Sequence, residues 1–265
     1  EVKYSNGKMT ENLHVAAVDL GATNIRTGLI RRDGTVIAFR AEEVPKNSCA
    51  DGSVITERIA AMITSMTKET GITPNAIGIS TAGPVNQKAG SVVGSPNMNC
   101  SEIFLRDPLA SLFHIPAVML SDCKAGAVGE DFFGGADTAH TLVYLTISTG
   151  IGCGVIANGS LLTGADGNAG EVGHIVVDTR YNILCGCGGT GHWEAYASGT
   201  GIPKFFHAWY AEKCDGRCAA KRDIAAGQIL RAGEIGSPLC CEFVDVLAKI
   251  NGRGLSAVIN AYNPD

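Results

Sequence analysis

No stretch of this 265-residue chain approaches eighteen consecutive apolar residues, so no membrane-spanning helix is expected. The first residues, EVKYSNGKMTENLH, lack the apolar core of a secretory signal, and those before about Asn12 read as a lead-in to the first apolar strand. Basic residues are few: 21 against 26 acidic ones, a formal charge of -5, dispersed along the chain. That argues against a nucleic-acid-binding face, and the acidic residues form no long tail either. Charged residues make up 18% against 45% hydrophobic, the balance of a soluble globular chain and not of a disordered or fibrous one. Two common nucleotide motifs are missing as well. There is no G-x-x-x-x-G-K-[ST] segment and no glycine spacing of the dinucleotide-binding kind. No short-period repeat is visible.

Two residue types are abundant. Glycine reaches 34 residues, and 17 of them lie between Gly126 and Gly199, so this stretch is rich in turns. Of ten cysteines, two form a C-x-C pair; most of the others lie in apolar company, as reduced thiols of a cytosolic protein do. Periodicity predicts strands at HVAAVDL (14–20), IRTGLI and TVIAFRAEE, then a helix from Gly52 to about Thr70 whose Ile55, Ile59, Met62, Ile63 and Met66 recur at spacings of three and four. NAIGIS reads as a buried strand, Arg106–His114 as a helix, IPAVMLS as a strand and DCKAGAVGEDFF as a small-residue helix. Then come strands TLVYLTIS, GCGVIAN and EVGHIVV, a glycine and cysteine loop, and a helical tail with breaks at Gly233 and Gly236 and a weak spot at Gly252 and Gly254. This order favours an α/β chain of two related lobes joined near 118–125. A strand–glycine turn–strand pattern occurs at 14–30 and again at 141–157, either as two phosphate-cradling turns or as two ordinary hairpins.

In the first turn, Asp19-Leu20-Gly21-Ala22-Thr23-Asn24, Gly21 permits close approach of a ligand, Thr23 adds a hydroxyl, and Asp19 can hold Mg²⁺ directly or through water. Ser148-Thr149-Gly150-Ile151-Gly152 has the same chemistry. Asp122 follows a strand and opens a helix, the place of a general base or of a plain first-turn aspartate. Asn97 offers a donor and an acceptor to a polyol; Glu171 and Glu194 suit vicinal hydroxyls or are surface acids. His174, Cys185, Cys187 and His192 are four ligands of a closed tetrahedral Zn²⁺ site in a glycine-rich knuckle. The alternatives there are a redox pair or thiols that bind nothing. A metal on one ring nitrogen of His174 leaves the other to face a substrate hydroxyl. Cys214-x3-Cys218 has no convincing partners.

Together DLGATNIR, ISTAGPVN, TISTGIGCGVIANGSLLTGADGNAGEVGHI and CGCGGTGHWEAYASG resemble the ROK family of sugar kinases and repressors, over about His14 to Asp265. The resemblance implies an α/β, two-lobed ribonuclease H-like ATPase fold of the actin and hexokinase type with a cleft between the lobes. It implies an N-terminal lobe over 1–120 and a C-terminal lobe over 121–265. It makes Asp122 the catalytic base, and Asn97, Glu171, His174 and Glu194 sugar ligands. Gly21, Thr23, Thr149 and Gly150 become phosphate contacts, and Asp19 a residue that places magnesium. His174, Cys185 and Cys187 become zinc ligands. ATP, Mg²⁺ and a structural Zn²⁺ follow as cofactors, with a sugar substrate and a homodimer or homotetramer, in the cytoplasm, with no nucleic-acid or membrane partner.

Three departures from the family pattern stand out. His192 replaces the third knuckle cysteine, and imidazole still suits zinc. Ser121-Asp122-Cys123-Lys124 keeps the base but loses both flanking asparagines; Lys124 lowers the pKa of Asp122, touches phosphate, or points to solvent. The sequence stops at NAYNPD, where the family continues with a strand and an adenosine-binding turn, so a C-terminal part is expected to be missing. The expected activity is transfer of the ATP γ-phosphate to the C6 hydroxyl of glucose. N-acetylmannosamine or N-acetylglucosamine are alternative acceptors; a non-catalytic sugar-binding regulator and an unrelated zinc-containing enzyme are the rival readings.

Overall fold

The computed structural model describes residues 13–45, 52–93, 100–134, 140–214 and 224–265. Two compact units emerge: Glu1–Gly135 with Thr163–Asn168, and Ala136–Leu162 with Ala169–Asp265. Among the described residues no helix is long and apolar enough to cross a membrane.

In the first unit, the apolar run HVAAVDL makes β1 (His14–Leu20), which buries Ala16, Val18 and Leu20 on one face and turns Ala17 and Asp19 to the other. β2 (Asn24–Arg31) and β3 (Val36–Glu43) return antiparallel. Helix α1 (Ser53–Thr70) buries the five positions its spacing predicts, and Ile55, Ile59, Met62 and Ile63 join the sheet core. β4 (Ala76–Thr81) runs parallel to β1. Three short strands, β5 (Val85–Asn86), β6 (Ser91–Val93) and β7 (Glu102–Phe104), form a separate antiparallel sheet. Then come α2 (Arg106–Phe113), β8 (Ala117–Ser121) and α3 (Asp122–Phe133). The main sheet has the order β3-β2-β1-β4-β8. Leu20 lies beside Thr81, and Thr81 beside Ser121, so the carboxyl ends of three parallel strands share one edge, where α/β sheets place their ligands.

The second unit begins with an antiparallel sheet of β9 (Thr141–Ile147), β10 (Ile151–Ala157) and β11 (Ser160–Leu161). Helices α4 (Trp193–Ala197), α5 (Gly201–Lys213), α6 (Ala226–Glu234) and α7 (Pro238–Tyr262) follow. Their core is aromatic: Tyr196, Phe205, Phe206, Trp209 and Phe243 meet ring to ring, largely edge-on or tilted.

Two expectations change. The strand expected at EVGHIVV is a single 3₁₀ turn, Val172–His174, plus one bridge between Val176 and His192. Its backbone lies against β10, where Cys153 N–H donates to Gly170 O at 2.9 Å, and the turn then closes with His174 N–H on Glu171 O. The weak spot at Gly252 and Gly254 does not interrupt α7. The first compact unit runs to Gly135, and α3 packs on β8 and β4, so Asp122 lies in that unit.

The two α7 glycines differ in a testable way. A methyl group at Gly254 would fall on the Trp193 indole, whereas nothing lies within 4 Å of one at Gly252. Gly252→Ala should stabilise the protein by about 0.5–1 kcal/mol, the helix preference of alanine. In Gly254→Ala the same gain is outweighed by about 1–3 kcal/mol of overpacking. Urea midpoints moving in opposite directions are the expected result.

Candidate active site and metal centre

In the first unit the β1 end carries Asp19, directly across the ladder from Arg26. Arg26 Nη1 donates to Asp19 Oδ2 at 2.8 Å, both side chains are about half exposed, and Ser80 Oγ stands 3.5 Å from Oδ1. Gly21 N–H closes the turn on Asn24 O, and Thr23, exposed, accepts from Val44 N–H through its carbonyl. Asp122 is the first residue of α3 and is exposed; its Oδ1 accepts from Cys123 N–H at 2.8 Å. The positive end of the helix dipole favours a carboxylate there. Lys124 is only 2% exposed, which removes the solvent-facing alternative. Asn97 lies outside the described residues. Arg26 was not foreseen as a partner of Asp19; the symmetry of positions 19 and 26 about the turn is the signal that would have found it.

In the second unit, Ser148, Thr149 and Gly150 link β9 to β10. Ser148 N–H donates to Gly150 O at 2.9 Å, Gly199 N–H to Ser148 O at 2.7 Å, and Thr200 Oγ1 to Thr149 O at 3.0 Å. Ile151 N–H donates to Glu194 Oε2 at 2.8 Å. Glu194 is therefore a half-buried anchor of this turn and not a surface acid. Glu171 is exposed at the foot of the 3₁₀ turn, with Oε2 3.8 Å from His174 Nε2.

The knuckle brings together the four residues its spacing singled out. One ligand atom from each of His174, Cys185, Cys187 and His192 lies within 4.8 Å of all the others. His174 Nδ1 is 3.6 Å from Cys185 Sγ, and His192 Nδ1 is 3.2 Å from Cys187 Sγ. A tetrahedron with Zn–N and Zn–S bonds of about 2.0–2.3 Å has edges of about 3.3–3.8 Å, so two thiols and two imidazoles at this spacing fit such an ion with small closing movements. His174 divides its nitrogens, Nδ1 toward the thiol and Nε2 toward Glu171. Burial pushes the Cys185 thiol up from its ordinary pKa; a hydrogen bond from the Cys187 backbone opposes the rise, and the Cys187 thiol and the Glu194 charge add to it.

The model of the ROK family matches residues 15–265. The chain belongs to the ROK family. Among ROK proteins it is 33% identical over 248 residues to a glucokinase of Pyrobaculum calidifontis, covering 94% of this chain and 75% of that one. The ROK hexokinase of Thermus thermophilus superposes with a TM-score of 0.79 at 28% identity, over 95% of this chain and 79% of that one. A ROK glucokinase of Streptomyces griseus, solved in complex with glucose and AMPPNP, gives 0.70 at 28% identity, over 95% and 80%. The fold is thus the α/β fold of ROK proteins, within the actin and hexokinase group.

Cys187→Ala removes one of the four ligands and should lower bound metal well below that of the parent protein, whereas His192→Cys, which restores a third thiol, should keep it. Metal analysis of the purified variants checks both; equal metal in Cys187→Ala and parent contradicts the ligand set.

Proposed function

We propose that this ROK-family sugar kinase transfers the γ-phosphate of ATP to the C6 hydroxyl of a hexose, with glucose as the preferred acceptor. The reading rests above all on the similarity, over 95% of the chain, to a glucokinase that holds glucose and AMPPNP. The donor set on this chain has the chemistry such a reaction needs.

Asp122, exposed at the start of α3, is assigned as general base. Its carboxylate accepts the hydroxyl proton as the sugar oxygen attacks phosphorus; the bond from phosphorus to the bridging oxygen breaks, and ADP leaves with that electron pair. Asn97, Glu171, His174 and Glu194 are assigned to the sugar hydroxyls, the carboxylates accepting from vicinal pairs and His174 offering Nε2. Gly21 and Thr23 in the first turn, with Thr149 and Gly150 in the second, are assigned as donors to phosphate oxygens. Asp19 is the carboxylate of the first turn and would hold a hydrated Mg²⁺, which supplies charge neutralisation on the phosphates when bound. His174, Cys185, Cys187 and His192 would hold a structural Zn²⁺, whose contribution is to fix the knuckle and the direction of the His174 ring. The same reading places the protein in the cytoplasm as a homodimer or homotetramer.

A coupled assay for ADP with glucose, N-acetylmannosamine and N-acetylglucosamine tests the acceptor. Magnesium-dependent turnover highest on glucose is expected. Higher turnover on an acetamido sugar moves the assignment to an N-acetylhexosamine kinase, and no ADP with any sugar leaves a sugar-binding regulator. Asp122→Asn should lower turnover by about a hundredfold or more, the usual scale of lost acid–base catalysis, while calorimetry still detects sugar binding. Unchanged turnover in that variant would remove Asp122 from the base position.

A further inference from the structure

One side chain touches both the Cys–His cluster and the β9–β10 turn. Glu194 Oε2 accepts from Ile151 N–H at 2.8 Å, and Oε1 stands 3.8 Å from Cys185 Sγ. The carboxylate fits against the turn because Gly150 has no side chain; a Cβ there would lie 2.5 Å from Oε2. The stem of Glu194 is fixed on both sides. Trp193 has no exposed surface and its indole N–H donates to Asn251 Oδ1 at 2.8 Å, while Ser198 N–H donates to Glu194 O at 3.2 Å. The other two anchors of the turn from this region, Gly199 N–H on Ser148 O and Thr200 Oγ1 on Thr149 O, come from the same short segment. That segment starts directly after His192, the last residue of the cluster.

We propose that Glu194 is a positioning residue that couples the occupancy of the Cys–His cluster to the conformation of the Ser148–Ile151 turn. A carboxylate is rigid and planar, so its two oxygens cannot move independently. A change that draws Cys185 and His174 together around a cation alters what faces Oε1 and reorients the group that holds the Ile151 amide at Oε2. In an empty cluster the Cys185 thiol donates to Oε1; a thiolate bound to a cation has no proton to give and repels the carboxylate, which is then freer to turn. The turn assigned to phosphate is thereby set by a metal that touches neither sugar nor nucleotide. This rests on reading the four residues as a metal site, and it adds to Glu194 a role independent of sugar contact.

Hydrogen–deuterium exchange of the full chain, zinc-loaded and chelator-stripped, without sugar or nucleotide, tests the coupling. Zinc loading should speed exchange in a peptide spanning 148–153 by about tenfold or more over the stripped protein, the scale set by loss of one charge-assisted hydrogen bond, while peptides from α7 keep their rate. In Glu194→Ala the turn should exchange fast whether or not zinc is present, with zinc content retained. Glu194→Gln, which keeps an acceptor for the Ile151 amide and has no charge for a thiolate to repel, should hold protection near the level of the stripped parent in the loaded protein. The proposal is overturned by equal protection of the turn in loaded and stripped parent, by a zinc response that survives in Glu194→Ala, by α7 loosening in step with the turn, or by a protein that takes up no zinc. Because no substrate is present, these outcomes are separate from success or failure of sugar phosphorylation.

Discussion

Trp193 is seated in the core of the second unit with its indole nitrogen on Asn251 and its ring against the bare backbone of Gly254. Held at both ring face and ring nitrogen, the side chain stops the short helix α4 from rolling on α7. Burial of an indole removes roughly 200 Å² from water, on the order of 5 kcal/mol at about 25 cal/mol per Å². That outweighs the roughly 1 kcal/mol a mid-helix glycine costs. The residues on either side of Trp193 inherit its fixed direction: His192 reaches Cys187, and Glu194 reaches the Ile151 amide. The knuckle and the β9–β10 turn both depend on this one packing contact.

The two hairpins that look alike in sequence are tied differently. In the first, Asp19 meets Arg26 across a half-exposed ladder, an ion pair of the kind that contributes about 0–1 kcal/mol. Its carboxylate is cheap to release. In the second, a half-buried carboxylate takes a backbone amide, a charge-assisted bond of about 1.5–3 kcal/mol. One turn keeps its charged group available, and the other spends its charged group on its own shape.

Regular elements were legible because each carries one clear local pattern. The short apolar run of HVAAVDL, closed by the turn at Gly21, and the three-and-four spacing from Ile55 to Met66 mark a strand and a helix directly. EVGHIVV misled for the opposite reason: its apolar residues suit a strand, but its backbone lies against β10 as a turn, which no local period records. Gly254 reads as a breaker until the ring that needs its bare backbone is seen, and that ring comes 61 residues earlier in the sequence. The Cys–His cluster was legible since three of its members lie within eight residues. The hold of Glu194 on Ile151 was not, because it joins positions 43 apart and depends on how α4 is seated. Burial of Lys124 was equally hidden, as a lysine beside an exposed aspartate suggests solvent for both.

The parallel run of β1, β4 and β8 acts as a ruler. Leu20, Thr81 and Ser121 stand side by side, so the backbone next to Asp19 and the backbone next to Asp122 are two strand spacings apart, about 10 Å at about 4.8 Å per gap. Ladder hydrogen bonds, not loops, set that distance. Loops at this edge can lengthen, shorten or change composition without altering it, and only the gain or loss of a whole strand would. Divergence among chains built on this sheet is thereby channelled into side-chain length and into what the loops hold, while the gauge between the two acids stays constant.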